Sequence, residues 1–219
     1  MYRLLFEKKG NAVWISHLDL MRLFQRAFKR AGLQLTHTQG YNPRPSVSIA
    51  LPLSVGVESC CELLDFDLDG DPVAPAELCS RLNETLVDGI RILRVYTNGR
   101  KLRDLALLRS CLTFEYDRGI PDGAESILKE LFNRPSVIVP KRTKNGMQDQ
   151  DLIPMIRNVS INRISDREVA VDLLACCQNP TLNPMQMIAA VNMYAAEVAP
   201  DFARCSRMEI YDAQENVFR

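Results

Sequence analysis

The sequence predicts an α+β protein made of two side-by-side ferredoxin-like halves, each a βαββαβ unit with an antiparallel sheet, and three observations carry that expectation. Within residues 1–97, strand-like runs and two helical stretches fall in the order β-α-β-β-α-β, the signature of a split βαβ sandwich. The same order restarts after residue 105, although no residue-level repeat accompanies it. At 219 residues, 47% of them apolar and 25% charged, the chain has the composition and length to bury a real core. A single α+β domain with one continuous antiparallel sheet is the rival arrangement. The expected boundaries are 1–97, a linker at 98–105 containing Asn98-Gly99, and 106–219.

Residues 2–7 alternate loosely and predict a strand, with Lys8-Lys9-Gly10-Asn11 as its turn and a short extended return at 12–15. Ser16 has the position of a helix N-cap, and Asp19 three residues on completes a capping box. Leu20, Leu23, Phe24, Ala27, Phe28 and Ala31 then repeat at helical spacing up to Gly32, a natural stop. Strands follow at 46–51 and 60–67, a turn at 69–72, a helix at 75–87 ending near Gly89, and a strand at 90–96. In the second half, strands are expected at 106–116, 136–139, 167–177 and 206–211, and helices at 122–132 and 183–198. The insertion at 141–165 holds a short helix or edge segment at 151–156 and a strand at 159–164.

The seven cysteines form no C-x-x-C pair, and with only His17 and His37 beside them they predict reduced thiols and no zinc site. No apolar run reaches the length of a membrane span, and the first residues lack the pattern of a signal peptide, so a cytoplasmic protein is expected. The zero net charge hides an asymmetry. Residues 1–50 carry eight Lys/Arg against two acids, whereas residues 51–92 carry two against nine. Such a chain is no general polycation, yet it can present one basic face.

The candidate functional stretch is the polar loop His37-Thr38-Gln39-Gly40-Tyr41-Asn42-Pro43-Arg44-Pro45. Two prolines fix the backbone on either side of Arg44, and Gly40 permits angles that other residues resist. If this loop folded against the start of the first helix, His17, His37 and Arg44 would converge on one phosphate or carboxylate at a helix N-terminus. Tyr41 would then stack on a base, while Gln39 or Asn42 would bond its edge. Alternatively Ser16 and Asp19 merely cap, and the prolines shape a structural corner. Arg22, Arg26, Lys29 and Arg30 make the polar side of the first helix a basic stripe, which is either a solvated face or a phosphate-facing one. Lys141, Arg142 and Lys144 form a second basic group, either solubilising or lining the same groove.

The N-terminal block reads Ile15-Ser16-His17-Leu18-Asp19-Leu20-Met21-Arg22, then Arg30-Ala31-Gly32-Leu33, then Gln39-Gly40-Tyr41-Asn42-Pro43-Arg44-Pro45. Ala50-Leu51-Pro52-Leu53 and Gly56-Val57-Glu58-Ser59 close the pattern. It resembles the radical-SAM-linked family of unknown function, whose members stand alone or are fused to cobalamin-binding radical SAM proteins. The match is specific over about residues 2–70, and Pro140-Lys141-Arg142-Thr143-Lys144 and Asp151-Leu152-Ile153-Pro154 fit the second part more loosely. The resemblance implies a radical SAM partner and a link to RNA modification or processing, and it assigns no catalytic residue. The C-x-x-x-C-x-x-C motif of the radical SAM enzymes themselves is missing here, so no iron–sulfur cluster or other cofactor is expected.

The leading expectation is therefore an accessory protein that binds tRNA or rRNA and presents it to a radical SAM enzyme. A second reading is a module that docks such an enzyme without touching RNA, through an apolar edge at 49–53 and the acidic stretch 58–71. A third is a metal-free RNA endonuclease using His17 and His37.

Overall fold

In the computed structural model, which describes residues 1–143 and 146–219, the chain divides into two units, Met1–Leu102 with Arg219 and Arg103–Phe218. It is an α+β protein with four α-helices and antiparallel strand pairing among the described residues.

In the first unit, β1 (Tyr2–Lys8) leads through a 3-10 turn (Gly10–Trp14) into α1 (His17–Arg30). There follow β2 (Val47–Ile49), β3 (Val57–Phe66), α2 (Pro75–Asn83) and β4 (Ile90–Thr97). The strands lie in the order β4-β1-β3-β2, each antiparallel to its neighbour. Alternation along the strands sends Leu4, Phe6, Leu64, Phe66 and Ile92 toward the helices, where Phe24, Phe28, Leu78 and Leu82 meet them. Phe6 packs edge-on against Phe24 at 4.8 Å, and Phe28 tilts over Phe66 at 4.7 Å. Each such fully buried side chain contributes about 1.5–3 kcal/mol of apolar transfer free energy.

The extended return expected at 12–15 is instead the 3-10 turn, and a buried lysine at the end of β1 helps to make it so. Lys8 is 1% exposed and its Nζ donates to the carbonyls of Val13 (3.1 Å) and Ile15 (2.8 Å), drawing the chain into a curl. β2 stops at Ile49, short of the expected 51, because Leu51 takes φ +47° and Pro52 carries no N–H. α2 ends at Asn83, short of 87, because the Asn83 amide turns to bond both the N–H and the carbonyl of Ile92 on β4.

In the second unit, β5 (Leu105–Glu115), α3 (Ala124–Phe132), β8 (Ile156–Arg163), β9 (Glu168–Cys176), α4 (Met185–Tyr194) and β10 (Phe202–Asp212) follow the same order of elements. The strands lie in the order β10-β5-β9-β8. The strand expected at 136–139 does not join them. It is displaced to β6 (Ile138–Thr143), which among the described residues pairs with β7 (Gly146–Asp151) in a separate two-stranded sheet. Pro140 lacks the N–H a central strand needs, so β8 takes the place beside β9. The helix expected through 198 breaks after Tyr194 and resumes as a 3-10 turn at Ala196–Val198.

Candidate nucleic-acid interface

The sequence fixes the start of α1 locally. The Ser16 hydroxyl accepts from the Asp19 N–H (3.2 Å) and donates to the Asp19 carboxylate (2.8 Å), whose other oxygen receives Arg22 (2.9 Å). The hydrogen bond from Ser16, reinforced by Arg22, holds the Asp19 carboxyl below its ordinary range. The helix N-terminus is thus occupied by the chain's own carboxylate, and Asp19 serves as a cap. His17 is half-buried beside it, and its Nδ1 is shielded from solvent without a hydrogen-bond partner among the described residues.

The motif loop lies at the other end of the helix. Past α1 the chain turns at Gly32 (φ +67°), pairs Leu35 with Leu68 in an isolated bridge, and reaches His37, which bridges Pro45. The Thr38 N–H donates to the Arg44 carbonyl (2.8 Å) and the Arg44 N–H to the Thr38 hydroxyl (3.1 Å), so residues 38–44 form a loop clasped at its base. Gln39, Tyr41, Asn42 and Arg44 all project into solvent, Tyr41 completely. At the base a hollow of about 520 Å³ opens between the C-terminal half of α1 and the incoming chain, lined by Gln25, Lys29, Gly32, His37, Pro45 and Asp69 among others. His37 therefore sits with Lys29 near the end of α1, while His17 opens it. A 14-residue helix spans about 20 Å, so the convergence of His17 with His37 and Arg44 does not occur.

The polar side of α1 is the stronger feature. Arg22, Arg26 and Arg30 recur every fourth residue and line a groove of about 300 Å³ whose far wall is Thr85 and Val87, with Ile15 at one end. Arg26, Lys29, Arg30 and Arg44 are exposed and have no side-chain ion pair among the described residues. Some of the acids of 51–92 are engaged in structure, whereas Asp69, Asp71, Glu84 and Asp88 are exposed. Asp65 receives Arg3 through two hydrogen bonds (2.5 and 2.8 Å), Asp67 pairs with the N-terminal ammonium, Glu77 pairs with Arg81, and Glu62 is only 1% exposed. Ile49 and Leu53 are buried, so the apolar edge expected at 49–53 turns inward, while Asp69 and Asp71 of the acidic stretch 58–71 remain exposed.

In the second unit, Lys141 reaches the Thr181 carbonyl (3.3 Å) and Arg142 is exposed, whereas Lys144 lies outside the described residues. The helix-free face of β10-β5-β9-β8 carries a hollow of about 270 Å³ where Arg109 clasps Asp172 (2.8 and 3.1 Å) beside Asn158, Ser160 and Tyr211. Burial pushes the Cys177 and Cys205 thiols up to about 12, which leaves them inert at neutral pH. Among the described residues no three His, Cys, Asp or Glu side chains gather as a metal site, and no helix is long and apolar enough to cross a membrane. Trp14 escaped the sequence reading: it is 68% exposed at the end of the 3-10 turn, and a lone aromatic has no periodicity to announce it.

These features define an α+β protein whose first helix turns a basic side to solvent beside an exposed clasped loop. The chain belongs to the family described as "Uncharacterized protein conserved in bacteria (DUF2344)", whose profile matches residues 1–184. Comparison with curated proteins finds no match. Among solved structures, a chain of a Cbf5-Nop10-Gar1 complex superposes with a TM-score of 0.56 at 10% identity, over 95% of this chain and 48% of that one. A chain of an H/ACA ribonucleoprotein bound to a substrate RNA gives 0.47 at 7%, over 94% and 46%. One from an archaeal box H/ACA Nop10-Cbf5 complex gives 0.46 at 8%, over 94% and 46%. The chain spans about half the length of these proteins, and at such identity the first likeness establishes a shared fold alone.

Proposed function

We propose that this protein is a cytoplasmic accessory factor that binds RNA, tRNA or rRNA, and presents it to a radical SAM enzyme during modification or processing. The observation that carries the reading is the run of exposed cations Arg26, Lys29 and Arg30 along α1, with Arg44 beyond it, none of them in a side-chain ion pair among the described residues. Exposed cations without an ion pair remain available to phosphate. Strand orders of β4-β1-β3-β2 and β10-β5-β9-β8 support a ferredoxin-like reading of each unit. The radical SAM partnership is supported by the resemblance of residues 2–70 and by nothing in the fold. Filter binding at several salt concentrations tests the RNA role. Arg26→Ala and Arg44→Ala should each weaken binding at low salt, and unaltered affinity in both would refute it.

The docking reading without RNA is favoured by a different observation: Trp14, Leu18 and Val55 are 68%, 66% and 52% exposed. Co-purification of a radical SAM enzyme that survives nuclease treatment, with no RNA affinity at low salt, would select it.

A further inference from the structure

We propose that Trp14 and Tyr41 are base-stacking posts at opposite ends of α1, and that the ligand held between them is single-stranded RNA. The inference rests on the RNA-binding reading and adds the class of RNA and the residues that select it.

Trp14 is exposed and yet held. The Gly56 N–H donates to the Val13 carbonyl (3.0 Å), and a Cβ built on Gly56 would stand 3.5 Å from Cζ3 of the indole, so the ring edge rests over a bare glycine. Gly56 takes φ +83°, which further disfavours any side chain there. An indole fixed in this way loses little freedom when a base stacks on it. Leu18 and Val55 are the exposed apolar neighbours in sequence of the helix start and of Gly56, and such surroundings suit a base face better than a phosphate. Tyr41 is the counterpart, fully exposed at the tip of the clasped 38–44 loop.

The chain between the two posts runs along one edge of the sheet. From the loop, β2 runs back along β3 from Phe66 toward Leu64, and the following residues reach Gly56 beside Trp14. The posts lie beyond the two ends of α1, which is about 20 Å long, with Gln25, Lys29 and His37 lining the hollow at its C-terminal half. That span accommodates roughly four extended nucleotides, the lower limit of single-strand sites. Paired bases cannot stack on side chains, so a duplex would meet only the cations.

Trp14 is the only tryptophan of the chain, so its emission reports directly on this site. The experiment titrates the protein with a labelled single-stranded RNA oligonucleotide, and with the same strand in a duplex, reading Trp14 fluorescence and label anisotropy together. The single strand should quench Trp14 along the same curve that raises anisotropy, and the duplex should bind without quenching. Trp14→Ala and Tyr41→Ala should each weaken single-strand binding about 5- to 100-fold, with Trp14→Phe between wild type and alanine. Tyr41→Ala alters only an exposed tip, so it remains decisive if Trp14→Ala fails to fold. Anisotropy that rises while Trp14 emission stays constant and Tyr41→Ala binds normally overturns the stacking proposal and leaves the RNA reading standing. Equal quenching by the duplex overturns the choice of single strands. No anisotropy change with any oligonucleotide at low salt overturns both, and the Trp14 patch then belongs to a protein partner.

Discussion

Tyr116 shows how a single residue ties stability to pH. It is 3% exposed just past β5, and its hydroxyl donates to the Val198 carbonyl (3.0 Å), fastening the 3-10 turn that follows α4. Burial, aided by the charge of Asp201, pushes the phenol from an ordinary value of 10.0 up to about 12. Between those values the unfolded chain has lost the proton that the folded chain keeps, so the folded state binds more protons there. Stability is then fully present below pH 10 and declines as pH rises from 10 toward 12, by about 2–3 kcal/mol for this group. Urea denaturation at pH 8 and pH 11.5 checks this. Tyr116→Phe should lose about 1 kcal/mol at pH 8 and show a correspondingly smaller decline at pH 11.5, because it has no proton to lose.

At the scale of elements, the approach to α1 is set by a contact between two turns far apart in sequence. The Lys9 N–H donates to the Gly89 carbonyl (2.8 Å), and Gly89 takes φ +83° just before β4. A Cβ there would stand 2.4 Å from the Lys9 carbonyl oxygen and 2.8 Å from the Ala12 Cβ, and neither can yield without moving backbone. Gly89→Ala should therefore cost about 2–4 kcal/mol, read as a lower denaturation midpoint with unchanged slope. The same contact explains what the sequence could and could not reveal. α1 was legible because Ser16, Asp19 and the apolar repeat act within a few residues of one another. The 3-10 turn before it was not, since it depends on buried Lys8 and on a glycine some eighty positions away. Likewise the motif loop was legible as a stiff, exposed loop. Which end of α1 it would join was not, because that follows from the pairing of Leu35 with Leu68 and of β2 with β3.

The molecule as a whole carries equal numbers of Lys/Arg and Asp/Glu, 27 of each, so net charge supplies no general attraction for RNA. Attraction must come from the few cations without partners, and that bounds its response to salt. Arg22 already faces Asp19 at 2.9 Å, which leaves Arg26, Lys29, Arg30 and Arg44 as the open set on this side of the first unit. Each phosphate neutralised on a single strand contributes a slope of about −0.7 to log K against log salt, so four contacts give roughly −3. Arg26→Ala should reduce the steepness by about 0.7 while affinity falls alike for every sequence tested, since a phosphate contact carries no base information. Asp19→Asn should act in the opposite direction, freeing Arg22 and steepening the slope by a similar amount. Binding isotherms at four or five salt concentrations measure both. A slope near zero in the wild type would mean that the cations of α1 face only solvent, and the basic ridge would then have no part in recognition.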